Sequence, residues 1–190
     1  MNTKFIAGLV ILFFFCVSCK NENQCIWEVT TSYVTCAPYT LDYNTGEHVD
    51  NSYYDHLMVE IFFRAHSITE EMECDGNTPP EIIFSDSIQS LEIFSDVDYN
   101  SDFNANEDIS DLFFLYTIKS SNDWPRKIIP VCPLSEYLQQ SPAPVMQYMM
   151  LAPMYPPDEP ICARFYIHFR SSNGNDFYYN NAPYAFIYPH

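Results

Sequence analysis

Two stretches of strict alternation constrain this chain more than any other feature. Over residues 57–66, Leu57, Val59, Ile61, Phe63 and Ala65 fall on one side and Met58, Glu60, Phe62, Arg64 and His66 on the other. Over residues 161–170, Ile161, Ala163, Phe165, Ile167 and Phe169 oppose Cys162, Arg164, Tyr166, His168 and Arg170. Successive side chains of a strand point to opposite faces, whereas a helix needs apolar residues three and four apart. Each stretch therefore predicts a strand with one face buried, and such a face needs a second layer to cover it.

Shorter runs repeat the pattern. Residues 26–35 place Trp27, Val29, Thr31 and Tyr33 on one side, and residues 82–84, 88–94, 116–121, 145–151, 177–180 and 184–188 are further strand candidates. Asn173-Gly174 is a strong hairpin signal directly after the second alternating stretch. Residues 109–115 and the proline-led 133–140 can each form a short helix. Residues 37–56, 67–80 and 96–108 are dense in turn formers and are expected to be connections. Aromatics make up 17% of the chain, there are 14 prolines, and long Ala/Leu/Glu/Lys blocks are missing. With no strand–helix alternation, the expected fold is all-β: a single antiparallel β-sandwich, Ig-like or related, with one or two short helices.

The N-terminus carries a different signal. Lys4 precedes an apolar run over residues 5–17 that ends in Ser18-Cys19. As a helix this run rises about 20 Å, short of the roughly 30 Å hydrocarbon core, so it fits a cleaved signal better than a span. Cys16-Val17-Ser18-Cys19 resembles a bacterial lipobox, with Cys16 where Leu is usual, and Lys20-Asn21-Glu22-Asn23 resembles the tether that sends Bacteroidetes lipoproteins to the outer surface. The expected layout is a signal peptide at 1–18, a tether at 19–24 lipidated through Cys19, and a β-sandwich domain at 25–190. Several acyl chains on one cysteine, palmitate among them, give a stable anchor.

Charge and cysteines bound the partners. The net charge of −17 repels phosphate backbones and removes the electrostatic attraction on which nucleic-acid binding rests. Neutral glycans, cations, proteins and peptides remain. With Cys16 and Cys19 set aside, Cys25, Cys36, Cys74, Cys132 and Cys162 are disulfide candidates; an odd set allows at most two bridges, and none of these five stands in a C-x-x-C pair. A continuous strand over 26–35 would hold Cys25 and Cys36 roughly 36 Å apart, so those two are not expected to bond.

Enzyme signatures are missing. There is no G-x-S-x-G, no H-E-x-x-H and no glycine-rich phosphate loop. Two carboxylates from distant strands could make a glycosidase, but 25 acidic residues without diagnostic spacing do not indicate one. His66 and His168 fall on outward strand faces and could share a zinc ion, although surface histidines ordinarily have no such role.

Two surfaces stand out. In residues 96–107, Asp96, Asp98, Asn100, Asn104 and Glu107 occupy positions 1, 3, 5, 9 and 12 of a twelve-residue calcium loop, with Phe103 at position 8. Against calcium, Ser101 stands where the sharp turn calls for glycine and the entering segment is strand-like; Asx-turns are the commoner fate of such loops. Apart from this structural calcium candidate no cofactor is implied. Tyrosines also collect in expected loops and on outward faces. Tyr39, Tyr43, Tyr53 and Tyr54 form the candidate ligand surface, with Tyr99, Tyr155, Tyr166 and Tyr178 elsewhere. An apolar ring with an Asn/Asp rim suits a glycan or peptide, while β-propensity by itself enriches tyrosine in strands.

Ser90-Leu91-Glu92-Ile93, Asp96-Val97-Asp98-Tyr99-Asn100, Asp108-Ile109-Ser110-Asp111-Leu112-Phe113, and the 161–170 strand with its Asn-Gly hairpin together resemble a group of small Bacteroidetes surface lipoproteins of unknown function. The resemblance covers about half of the chain and implies a lipid-anchored outer-membrane protein exposed at the cell surface. It brings no activity. The expected function is a non-catalytic binding or interaction module with a glycan or protein partner. A structural or assembly lipoprotein of a surface complex is the alternative, and a hydrolase stands third.

Overall fold

The computed structural model describes residues 26–42, 45–50, 52–65, 81–118, 128–140 and 142–189. The chain divides into two compact units, residues 1–27 with 72–81 and residues 28–71 with 82–190. Of the first unit only residues 26, 27 and 81 are described. Both large sheets lie in the second unit.

In chain order the elements are β1 (Ile26–Val29), β2 (Tyr33–Thr40), β3 (Leu57–Arg64), β4 (Glu81–Phe84), β5 (Ser87–Ser95), β6 (Phe113–Ile118), β7 (Ile128–Pro133), α1 (Leu134–Leu138), β8 (Ala143–Pro144), β9 (Tyr148–Pro153), β10 (Ile161–Ala163), β11 (Phe165–Ser171), β12 (Asp176–Tyr179) and β13 (Ala185–Ile187). Single 3-10 turns at Tyr54–His56 and Ser110–Leu112 lead into β3 and β6. A five-stranded sheet runs β2-β3-β9-β6-β7 and a four-stranded sheet β12-β11-β5-β8; β1 with β4, and β10 with β13, form two-stranded ribbons. Neighbours within the two large sheets pair antiparallel.

The fold is thus an all-β antiparallel sandwich with a short helix. Phe63 on β3 meets Phe169 on β11 edge-on at 4.9 Å between ring centroids, and Phe113 on β6 meets Phe165 on β11 at 6.0 Å. These are favoured geometries for aromatic pairs. Val59, Ile61, Leu91, Ile93, Leu115, Leu151 and Ile167 fill the space around them, all buried. The two alternating stretches of the sequence therefore supply facing layers of one core.

Four expectations change in detail. Residues 161–170 do not form one strand. Ala163, Phe165, Ile167 and Phe169 all point inward as expected, but β10 pairs with β13 whereas β11 pairs with β5 and β12, and Arg164 is the residue at the switch. Residues 26–35 also break in two. The buried Asp86 carboxylate accepts the Thr31 N–H at 3.1 Å, the Ser32 N–H is donated to the Arg64 carbonyl at 2.7 Å, and beyond this bend the buried positions shift from Val29 and Thr31 to Val34 and Cys36.

Residues 37–56 are not one long loop, because β2 runs on to Thr40 and a Leu41–His48 bridge folds the next segment back. That fold-back explains the fourth difference. Met58 and Glu60 lie on the outward side of β3 yet are buried, and Leu41, Met58, Met150 and Ala152 form a small second core outside the five-stranded sheet. Met149 and Met150 are core filling, on opposite faces of β9.

Candidate functional site

The outer face of the four-stranded sheet carries the most organised polar arrangement among the described residues. Because Phe165, Ile167 and Phe169 are buried inward, β11 must present Tyr166, His168 and Arg170 outward. Register then places His168 opposite Glu92 on β5 and opposite Tyr178 on β12. His168 Nδ1 lies 2.6 Å from Glu92 Oε2, and Nε2 lies 2.6 Å from Asp176 Oδ1. Ionised carboxylates only accept, so a proton on either ring nitrogen has a carboxylate waiting for it. Arg170 Nη2 donates to the second Asp176 oxygen at 3.3 Å. The hydrogen bond from His168, with Arg170 adding to it, holds the Asp176 carboxyl below the usual carboxylate range against a counteracting desolvation.

Tyr178 completes the cluster. Its ring lies parallel to the His168 imidazole, 4.0 Å between centroids and 9° between planes. It is 74% exposed, so a large aromatic face is held in place while open to solvent. Beside it, Phe94, Asn106, Arg164, Tyr166, Tyr178 and Asn180 line an open hollow of about 420 Å³.

The sheet switch positions Arg164 in this hollow. Asp96 clamps it through the main chain: Arg164 N–H donates to Asp96 Oδ1 at 2.7 Å, and the Asp96 N–H donates to the Arg164 carbonyl at 3.1 Å. The guanidinium carbon sits 4.2 Å from the centroid of the Tyr184 ring, a cation–π contact. Its Nε is buried and has no hydrogen-bond partner among the described residues. Asn106, also lining the hollow, has φ 61°, the left-handed region that a non-glycine residue rarely adopts. Its N–H is donated to the Ser95 carbonyl at 2.8 Å, which ties this conformation to the end of β5.

Three of the four sequence-predicted tyrosines lie among the described residues. Tyr39 is half-buried beside His48 and lines a separate cavity of about 250 Å³ with Leu41, Glu60, Ile128 and Met150. Tyr53 meets Tyr188 edge-on at 6.4 Å. Tyr54 packs against the main core and donates its N–H to the Tyr188 carbonyl at 3.0 Å. Tyr43 lies outside the described residues.

The Asp-rich loop is built from Asx-type contacts. Asp96 holds the Arg164 main chain, Asp98 Oδ1 accepts the Ala105 N–H at 2.7 Å, and Asn100 Oδ1 accepts from the Asp102 and Phe103 N–H groups at 3.0 and 3.1 Å. Asn104 donates its amide to Glu107 Oε2 at 3.0 Å, and Asp158 reaches in to accept the Ser101 N–H at 2.7 Å. Asp98, Asn100 and Asn104 line a hollow of about 340 Å³ with Asp158 and Glu159. Among the described residues no group of three or more His, Cys, Asp or Glu side chains is placed to hold a metal ion.

Cys36, Cys132 and Cys162 are free thiols, and burial pushes Cys36 up to about 12. Cys19, Cys25, Cys74 and His66 lie outside the described residues. No helix among those residues is long and apolar enough to cross a membrane.

Sequence reasoning missed Asn106, Arg164, Asn180 and Tyr184. The one signal present was basic residues on the outward side of an alternating run, Arg164 and Arg170, the first next to Tyr166 on that side, in a chain with few basic residues. No family model, curated protein or solved structure matches the chain.

Proposed function

We propose that this protein is a non-catalytic carbohydrate-binding module, anchored in the outer membrane through a lipidated Cys19 and facing outward. The observation that carries the reading is Tyr178. A ring this exposed would ordinarily be mobile, yet it lies flat on an imidazole that two carboxylates grip from either side. Pre-ordering a contact surface removes part of the entropy lost when a ligand binds. Sugars present C–H faces suited to stacking on such a ring and hydroxyls suited to amides, which Asn106 and Asn180 supply at the rim. The hollow's volume lies within the range of about 300–1,000 Å³ usual for ligand sites.

Calorimetry against a panel of oligosaccharides tests this reading. Tyr178→Ala should weaken binding about tenfold or more with an unchanged melting temperature. Equal affinity in that variant, or no sugar binding by the parent protein, contradicts it.

A second reading, an assembly lipoprotein of a surface complex, is favoured by Tyr184, Phe186 and Tyr188, which are exposed at every second position along β13 and to either side of it. Under this reading Phe186→Ala abolishes capture of a protein partner and leaves sugar binding intact.

A further inference from the structure

Resting on the carbohydrate reading, we propose that the sugar bound in this hollow is acidic and that Arg164 receives its carboxylate. Two arginines lie on this face of the sheet and they differ in one respect. Arg170 is neutralised by Asp176, whereas Arg164 has no carboxylate partner for its guanidinium among the described residues. Asp96 meets Arg164 through the main-chain N–H, and no ion pair joins the two side chains among the described residues.

In a chain with 25 acidic and 8 basic side chains, an arginine that lines a hollow without an acid partner is not the default arrangement. A partly buried cation with an unsatisfied N–H is costly unless something completes it. Tyr184 beneath the guanidinium fixes its position, which favours the planar, bidentate recognition that arginine gives a carboxylate. Stacking on Tyr178 and a charge-assisted bond to Arg164 then act at two points of one ligand. A neutral sugar, the glycan class that the net charge of −17 favours, would use only the first; a uronic acid residue uses both, and its local bond to Arg164 has to outweigh the general repulsion, which salt screens.

Matched probes separate this proposal from the reading beneath it. Oligomers of galacturonate, glucuronate, mannuronate and guluronate, each alongside its uncharged methyl ester, are titrated calorimetrically into the intact protein. At least one acid form should bind about tenfold or more tighter than its ester. Arg164→Gln should remove that preference while leaving ester binding in place, and Arg164→Lys should retain part of it. Equal binding of every acid and its ester by the parent protein overturns the acidic-sugar proposal and leaves the carbohydrate reading standing. A preference that survives Arg164→Gln overturns the role of Arg164. Failure of every acid and ester to bind overturns the acidic-sugar proposal, while the carbohydrate reading falls only if the wider oligosaccharide panel also fails to bind. The comparison of acid with ester needs no variant, so a poorly folding Arg164→Gln protein does not remove the test.

Discussion

At the scale of single residues, ionisable groups with shifted equilibria give the most direct predictions. Cys36 is 1% exposed on β2, and burial raises its thiol from 9.0 to about 12. Above about pH 9 the unfolded chain releases that proton while the folded chain keeps it, so stability falls between about pH 9 and 12, by about 1.4 kcal/mol per pH unit for this one group. Thiol labelling of the native protein at pH 8 should therefore modify the exposed Cys162 and spare Cys36 until the protein is unfolded. Equal labelling of the two would contradict the burial of Cys36. Asp176 shifts the other way. Its lowered equilibrium stabilises the fold above the ordinary carboxylate value of about 3.9, and that contribution is lost as pH falls through the lower, folded-state value. A carboxyl titration followed by NMR should place its midpoint below about 3.9, and His168→Gln should move it back up.

At the scale of elements, the alternating stretches were legible because their information is local. A period of two over eight or more residues is enough to place Val59, Ile61, Phe165 and Ile167 in one core. Replacing the fully buried Phe165 with Ala should cost about 3–5 kcal/mol in chemical denaturation, and Tyr166→Ala less than about 1 kcal/mol. Equal losses would contradict the inward assignment. What sequence could not show depended on partners far along the chain. The break at Arg164 exists because β10 finds β13 and β11 finds β5, yet alternation continues through it unchanged. Met58 and Glu60 are buried by a segment that folds back over β3, and nothing within residues 57–66 encodes that cover. The candidate site was illegible for the same reason: Asn106, Arg164, Tyr178 and Asn180 meet only once β5, β11 and β12 are side by side. Of the tyrosines chosen from sequence, Tyr39 lies on β2 and Tyr53 and Tyr54 lie at the 3-10 turn before β3, which pairs with β2, a relation that nearness in the chain does not encode.

At the scale of the whole molecule, an acidic chain on a lipid anchor would present an aromatic-walled hollow holding Arg164 to the outside. Replacing Cys19 with Ala should release the protein from membranes or arrest its processing, seen as a change in mass; unchanged membrane association at unchanged mass would contradict the anchor. The carbohydrate reading and the role given to Arg164 both depend on sugar binding to the outer face of the β12-β11-β5 strands. Mapping amide and side-chain NMR shifts of the intact protein as an acidic oligosaccharide is added locates that binding residue by residue. Shift changes should saturate together and concentrate at Asn106, Arg164, Tyr166, Tyr178 and Asn180. Changes centred on Tyr39, His48 and Glu60 instead, or none at saturating sugar, would contradict binding on this face.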